Sequence, residues 1–199
     1  MAALDRNGGS LALDFVNTVY WRNTNKRKEW LRDSADLFAW VELVCGAKPS
    51  IPDQFDRRVP ERPSFYSDAI LLRETLYSLF EAVAKNRPPP DEDWQLFNDS
   101  LAVAMARTRL HSSRTGFEWG FEPVEPLRSF HYPILKDAAD LLVSPELMRL
   151  NICANPQCGW LFLDRTKNRS KKFCCQNPCA NRAKARRHYL RATQNKSKN

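Results

Sequence analysis

The sequence predicts an α+β fold: a mainly helical N-terminal domain with a small antiparallel β-hairpin, followed by a small four-cysteine module at the C-terminus. Three observations predict this fold. Apolar residues recur at helical spacing through most of the first 150 residues. Five of the six cysteines lie between positions 153 and 179. The formal net charge of +8 arises in the same C-terminal segment, because residues 152–199 contain 12 Lys or Arg and one acidic residue.

The N-terminal domain begins with two predicted helices. The first follows Ser10 as N-cap, with its apolar face formed by Ala12, Phe15, Val16 and Val19. The second follows Ser34 and stops at Gly46. A proline-rich connection over 49–63 cannot hold a regular helix, because proline lacks the backbone donor.

The next stretch, from Ser67 to the prolines that begin at Pro88, is apolar on most faces and predicts a central buried helix. A fourth helix starts at the acidic residues 91–93 and fades by about Arg107. Residues 107–121 alternate on either side of a turn and predict the only clear hairpin before the cysteines. Helical spacing returns over 132–143, and the tripeptide Ser-Pro-Glu at 144–146 begins a short helix.

One polar stripe in this domain is a candidate ligand pocket. Asp14, Asn17 and Thr18 share one face of the first helix, and Arg73 is a conspicuous polar residue of the central helix. The default interpretation is that these residues have ordinary core and surface roles. With Glu74 they are also the only candidate for a small-molecule enzyme. We predict no enzyme, because the histidines are scattered and the chain has no glycine-rich phosphate loop or nucleophile motif.

The cysteines follow the pattern C-x4-C-x15-C-x4-C, formed by Cys153, Cys158, Cys174 and Cys179. Four thiolates can close a tetrahedral shell around one structural Zn²⁺. Cys175 would give x3 spacing and is the alternative to Cys174. We expect Trp160–Leu163 to form the first strand of a small hairpin, 165–172 its basic loop, and Asn177 the cap of a helix that begins at Pro178. This order is typical of a treble-clef zinc finger.

The basic charge of the C-terminal segment predicts a polyanionic partner. Residues 152–199 carry a formal charge of +11 and residues 1–151 carry −3, so the attraction belongs to this segment. The candidate nucleic-acid contacts are Arg165, Lys167, Arg169, Lys171 and Lys172 in the loop, and Lys184, Arg187, His188 and Arg191 along one face of the helix. A solvated helix face is the alternative. A membrane is disfavoured because the helix lacks a broad apolar face.

The N-terminus lacks the charged and apolar regions of a signal peptide, and no run of about 18 apolar residues occurs. We therefore expect a soluble, cytoplasmic protein.

Three segments carry a resemblance to a known family: GGSLALDFVNT, LRETL, and CANPQCGWLFLDRTKNRSKKFC followed by CANRAKARRH. Over nearly its whole length the chain resembles the CGNR zinc-finger family of stress-induced transcriptional regulators, whose N-terminal part is the ABATE domain. The naming tetrapeptide Cys-Gly-Asn-Arg stands here as Cys179-Ala180-Asn181-Arg182. The family pattern usually has no cysteine after the third ligand, which favours Cys174 over Cys175.

The resemblance implies transcription regulation. We expect an ABATE-like domain over residues 1–150, a CGNR-type finger over 151–194 and a polar tail over 195–199. The leading hypothesis is a DNA-binding regulator whose N-terminal domain senses a small molecule or forms a homodimer. The alternatives are an RNA-binding protein, a protein-interaction adaptor with a structural zinc and, last, a small-molecule enzyme. Electrostatics alone does not separate DNA from RNA.

Overall fold

The computed structural model describes residues 6–45, 63–114, 116–121 and 130–196. The predicted fold class is confirmed: these residues are mostly helical, with small antiparallel hairpins. The helices are α1 (Leu11–Val16), α2 (Ser34–Cys45), α3 (Pro63–Ala84), α4 (Asp91–Ala106), α5 (His131–Val143) and α6 (Asn181–Lys196). The strands are β1 (Val19–Tyr20), β2 (Lys28–Glu29), β3 (Thr108–Ser113), β4 (Gly116–Phe121), β5 (Leu150–Ile152) and β6 (Leu161–Leu163). None of the described helices is long and apolar enough to cross a bilayer.

Helix α1 starts as predicted but is shorter. The Ser10 hydroxyl accepts a hydrogen bond from the Leu13 amide at 3.3 Å, which is the expected N-cap. Val19 was placed on the apolar face of this helix, and this was wrong: the helix ends at Val16, and Val19 begins β1. Asn17 is the C-cap of the helix. Its side chain bonds to the carbonyl of Leu161 in β6.

Two other helix starts also differ from the prediction. Asp33 rather than Ser34 caps α2, since its carboxylate accepts from the Asp36 amide at 2.8 Å. Helix α3 begins at Pro63, four residues before the predicted start. The predicted stop at Gly46, and the proline-rich connection up to residue 62, lie outside the described residues.

Helices α1 to α5 enclose the main core. Phe15, Leu76, Phe80 and Ile134 are among its fully buried side chains. The hairpin β3–β4 pairs Thr108 with Phe121 and ends at the Ser113–Gly116 pair, as the alternation predicts. A second ladder, between β1 and β2, was missed because each strand has only two residues.

The strand at residues 161–163 pairs differently from the prediction. It is the second strand of its hairpin, since β6 pairs with β5 and aligns Leu150 with Leu163. The first cysteine pair therefore lies in the turn of this hairpin, and the basic loop follows it. After the loop, Gln176–Ala180 forms a π-helical turn with a kink at Asn177, where φ of −119° and ψ of 125° are extended, as expected of the predicted cap. The turn runs directly into α6, which begins at Asn181.

Strand β6 belongs to two cores at once. Leu161 and Leu163 pack into the helical core, whereas Phe162 and the preceding Trp160 pack with the cysteines in a second cluster. Successive side chains of a strand point to opposite faces. This alternation joins the C-terminal module to the N-terminal domain.

Candidate metal centre and nucleic-acid interface

The cysteines of the predicted set converge on one point. The Sγ atoms of Cys153, Cys158, Cys174 and Cys179 lie within 4.8 Å of one another, and all four residues are buried. The Sγ atom of Cys174 lies 3.8 Å from that of Cys158 and 3.8 Å from that of Cys179. A tetrahedral zinc with sulfur ligands at 2.3 Å requires sulfurs separated by about 3.8 Å. The cluster therefore fits one zinc ion with a closed shell.

Local backbone bonds hold the first cysteine pair. The Cys153 amide donates to the Trp160 carbonyl at 2.8 Å, and the Cys158 amide donates to the Asn155 carbonyl at 2.9 Å. The side-chain amide of Asn155 lies 3.6 Å from the Cys179 sulfur. Such an N–H group stabilises a thiolate and fixes its orientation toward the metal.

The second pair comes from a different part of the module. Cys174 follows the basic loop, and Cys179 lies in the π-helical turn before α6. The Ala154 amide donates to the Lys172 carbonyl at 2.8 Å and ties the two segments together. Cys175 is half-buried with its sulfur 3.7 Å from that of Cys174, and it lies outside the convergent set.

Mutual interactions among the thiols favour metal binding. Hydrogen bonds from Cys158, Cys174 and Cys179 lower the pKa of Cys153. The hydrogen bond with Cys153 raises the pKa of Cys158 and of Cys174, because the bond holds the proton on each of these thiols. Zinc binds thiolates, so it takes the place of these protons. Zinc binding at this cluster therefore displaces protons.

The single acidic residue of the C-terminal segment shapes the basic loop from inside. Asp164 is buried and accepts hydrogen bonds from the Thr166 hydroxyl at 2.6 Å and the Thr166 amide at 2.9 Å. Its other oxygen accepts from the Lys171 amide at 2.8 Å. These bonds, those of Thr166 foremost, lower the pKa of Asp164. The Asp164 carboxylate therefore holds the backbone of the basic loop from the inside.

The structure divides the predicted contacts of the basic loop into two groups. Lys167, Arg169 and Lys172 are exposed. Arg165 forms a two-pronged ion pair with Glu146, with distances of 3.1 and 2.8 Å. Lys171 is half-buried, with its ammonium group 4.8 Å above the Phe162 ring.

The predicted stripe on α6 faces solvent. Lys184, Arg187 and His188 are all exposed. In the part of the chain that the structure describes, none of them forms an ion pair with a carboxylate. The side chain of Arg191 lies outside the described part.

The residues of the predicted ligand pocket are engaged by the protein itself. The Asn17 side chain donates to the Leu161 carbonyl at 2.8 Å and accepts from the Leu161 amide at 3.0 Å. Arg73 has no exposed surface, donates to Thr18 at 3.1 Å, and donates to both oxygens of Glu29 at 2.7 Å. Asp14 accepts from the Gly8 amide at 2.8 Å. Ligand binding by these residues stays a prediction.

A cavity of about 210 Å³ lies elsewhere, between α3, α4 and α5. Asp68, Ser100 and His131 line it together with four leucines. Sequence reasoning missed it, because its walls come from three helices and the residues share no local pattern.

Sequence reasoning assigned no partner to the segment between β1 and β2, which contacts the zinc module. The Trp160 indole donates to the Val19 carbonyl at 2.7 Å, and the Arg22 amide donates to the Cys158 carbonyl at 3.3 Å. The available signal was the basic run RNTNKRK at residues 22–28, which the net charge of the first 151 residues concealed.

Comparison with family models identifies both parts of the chain. The ABATE model, described as "putative stress-induced transcription regulator", matches residues 9–145. The chain belongs to the ABATE family. The CGNR zinc-finger model matches residues 149–192, so the cysteine cluster is the zinc site of a CGNR finger. The resemblance and the zinc cofactor predicted from the sequence are thereby confirmed. No curated protein matches the chain.

Proposed function

We propose that this ABATE protein is a DNA-binding transcription regulator whose CGNR finger contacts the DNA. Membership of a regulator family supports the regulatory role. The observation that carries the DNA contact is the exposed stripe of Lys184, Arg187 and His188, which has no carboxylate partner in the described part of the chain. A helix face that is only solvated usually mixes both signs of charge.

Zinc has a structural role in this proposal. Four thiolates fill a tetrahedral shell and leave no position for a reacting water. The metal instead fixes the turn that precedes α6, because Cys179 lies in that turn and is buried. Binding of the metal thereby sets the direction in which the helix leaves the module.

The dimensions of α6 favour DNA over RNA. Its 16 residues extend over about 24 Å, and an α-helix is about 10 to 12 Å wide with its side chains. The major groove of B-DNA is about 12 Å wide and admits a helix. The major groove of A-form RNA is deep and narrow and does not admit one.

The homodimer and the small-molecule effector stay predictions. A single recognition helix makes few base contacts, so base specificity usually needs two half-sites. The hairpin β3–β4 exposes Leu110, Phe117 and Trp119, and Phe117 is 76% exposed. Exposed apolar groups of this kind occur where proteins associate. For an effector, the cavity between α3, α4 and α5 is the most suitable space described.

The proposal is tested by titrating salt against binding of fluorescent duplex DNA and RNA, with zinc content measured on the same sample. We expect log Kd to rise linearly with log salt, by about 0.9 for each phosphate contacted. The double variant Lys184→Glu/Arg187→Glu should weaken DNA binding at least tenfold and reduce the slope by about 2, with zinc content unchanged. The control Arg109→Glu/Arg114→Glu makes the same charge change on the hairpin and should bind like the wild type.

Other outcomes select among the alternatives. An unchanged slope in the double variant would show that the stripe does not contact nucleic acid. Tighter binding to RNA at every salt concentration would select the RNA-binding alternative. About one zinc per chain without affinity for either nucleic acid would favour the adaptor.

A further inference from the structure

The turn that connects β1 to β2 is packed against the finger. The Arg22 amide donates to the Cys158 carbonyl at 3.3 Å, and the Asn23 side chain reaches the Pro156 carbonyl at 3.5 Å. At Gly159, φ is +75°, and a Cβ atom there would lie 3.0 Å from the Arg22 Cβ. This close approach places the turn in direct backbone contact with the first cysteine pair.

The same turn also contacts the start of α6. The Arg182 guanidinium lies 4.3 Å above the Trp21 ring. Trp21 has φ of +52°, a left-handed conformation that non-glycine residues adopt rarely and that persists only when surroundings enforce it. The turn of the ABATE domain, the first cysteine pair and the first turn of α6 therefore form one continuous surface.

This surface is basic. The turn contains Arg22, Lys26 and Arg27 and no acidic residue, and Lys28 follows it as the first residue of β2. Both arginines pair with Glu74. Lys26 and Lys28 are exposed, and neither forms an ion pair with any carboxylate of the described residues. Two cations, one in the turn and one directly after it, are thus left for an external anion.

An aromatic stack fixes the position of Lys28 relative to the finger. The Lys28 ammonium lies 4.8 Å from the centre of the Trp30 ring. Trp30 packs on Tyr20 at 5.4 Å between ring centroids, and Tyr20 packs edge-on against Trp160 at 4.6 Å. Trp160 belongs to the cysteine cluster. The stack therefore holds Lys28 beside the zinc module.

Helix α6 carries positive charge on two faces. Arg182 and Arg186 are one turn apart and share the face that meets Trp21, while Lys184, Arg187 and His188 lie on the far side. A helix in a major groove about 12 Å wide has a sugar–phosphate backbone along each side. The far stripe can meet one backbone. The near face, together with the turn, can meet the other.

We infer that the nucleic-acid surface is composite, and that Lys26 and Lys28 of the ABATE domain bind the phosphate backbone beside the finger. The inference rests on the proposed function. It gives the ABATE domain a direct part in binding, in addition to any sensing. It also means that the finger alone is an incomplete binding unit.

The test uses the full-length, zinc-loaded protein and the same duplex DNA salt titration. The double variant Lys26→Glu/Lys28→Glu should reduce the slope of log Kd against log salt by about 2, and should weaken binding at low salt about tenfold or more. The milder Lys26→Gln/Lys28→Gln should give a reduction of the same sign. Zinc content and tryptophan fluorescence of each variant report whether the turn still packs on the finger.

Arg109→Glu/Arg114→Glu on the hairpin is the matched control for total charge and should keep the wild-type slope. If both turn variants are folded and zinc-loaded and also keep that slope, while Lys184→Glu/Arg187→Glu loses it, the composite surface is wrong and the DNA-binding function stands. If the wild-type protein binds no nucleic acid, the proposed function fails and this inference fails with it.

Discussion

The helical ABATE domain and the CGNR finger achieve order by different means. The domain buries large apolar side chains such as Phe15, Leu76 and Phe80 between helices. Among the described residues, the cysteine cluster of the finger contains Trp160 and Phe162 as its large buried side chains. A core this small does not offset the conformational entropy of the chain. Metal and docking onto the domain must supply the difference.

The domain and the finger depend on each other, but to different degrees. The domain contributes the hydrogen bonds of Asn17 to Leu161 and the carbonyl of Val19 that accepts from Trp160. In turn, Leu161 and Leu163 of the finger pack in the core of the domain. The finger therefore needs the domain and the zinc, whereas the domain loses only one edge of its core when the finger is disordered.

Zinc removal should produce the largest difference in stability between the finger and the domain. Zinc-finger peptides gain about 10 to 16 kcal/mol from their metal, which exceeds the stability of most domains. After chelation, or in Cys158→Ser, amide hydrogen exchange should lose protection over β5, β6 and the start of α6, while α3 and α4 remain protected. Cys175→Ser is the control and should retain about one zinc per chain. Protection of β6 without zinc would show that the finger does not depend on the metal.

Asn17→Ala should remove the hydrogen bonds by which α1 of the domain holds β6 of the finger. It leaves the amide and the carbonyl of Leu161 buried without their partner, at a cost of about 2 to 4 kcal/mol. Urea unfolding followed by tryptophan fluorescence measures this loss. Asn25→Ala removes an exposed amide from the β1–β2 turn and should change stability by less than about 0.5 kcal/mol. Equal losses in the two variants would contradict the role given to Asn17.

Asp14→Asn should give a smaller, pH-dependent effect confined to the domain. Burial raises the pKa of Asp14 to about 6, with the Gly8 amide and Arg6 opposing the rise. The folded state then holds the proton more tightly than the unfolded chain between about pH 4 and 6. The penalty for ionisation is absent below that window, grows as pH rises through it, and is complete above it.

At pH 8 the Asp14→Asn variant should therefore be more stable than the wild type by about 1 to 3 kcal/mol, and the gap should shrink toward pH 5. Urea unfolding at both pH values measures the gap. The exposed Asp99→Asn should show no such change. A gap that is constant across the range would mean that burial of the Asp14 carboxylate is not its cause.

The parts of this protein that depend on local spacing could be predicted from the sequence. The cysteine spacing predicted the convergent cluster, since ligands in two short turns need little else to meet. The acidic start of α4 and the alternation over 107–121 likewise placed α4 and the hairpin β3–β4. These signals lie within a few residues of the feature that they specify.

The rest depends on partners far along the chain. Residues at helical spacing continue to Val19, but α1 ends with Asn17 as its C-cap. The side chain of Asn17 bonds to Leu161, which is 144 residues away. Strand β6 was recognised, but its partner β5 lies before the cysteines, which no local pattern indicates. The basic segment of Lys26 and Lys28 was hidden because acidic residues elsewhere in the domain cancelled its charge in the total.

Side chains of β6 pack in both cores, although this strand is translated long after α1. Leu161 and Leu163 of this strand belong to the core that begins with α1. At about 5 to 20 residues per second, the N-terminal helices emerge many seconds before this strand. The edge of the helical core that β6 covers therefore stays open until the finger has been translated.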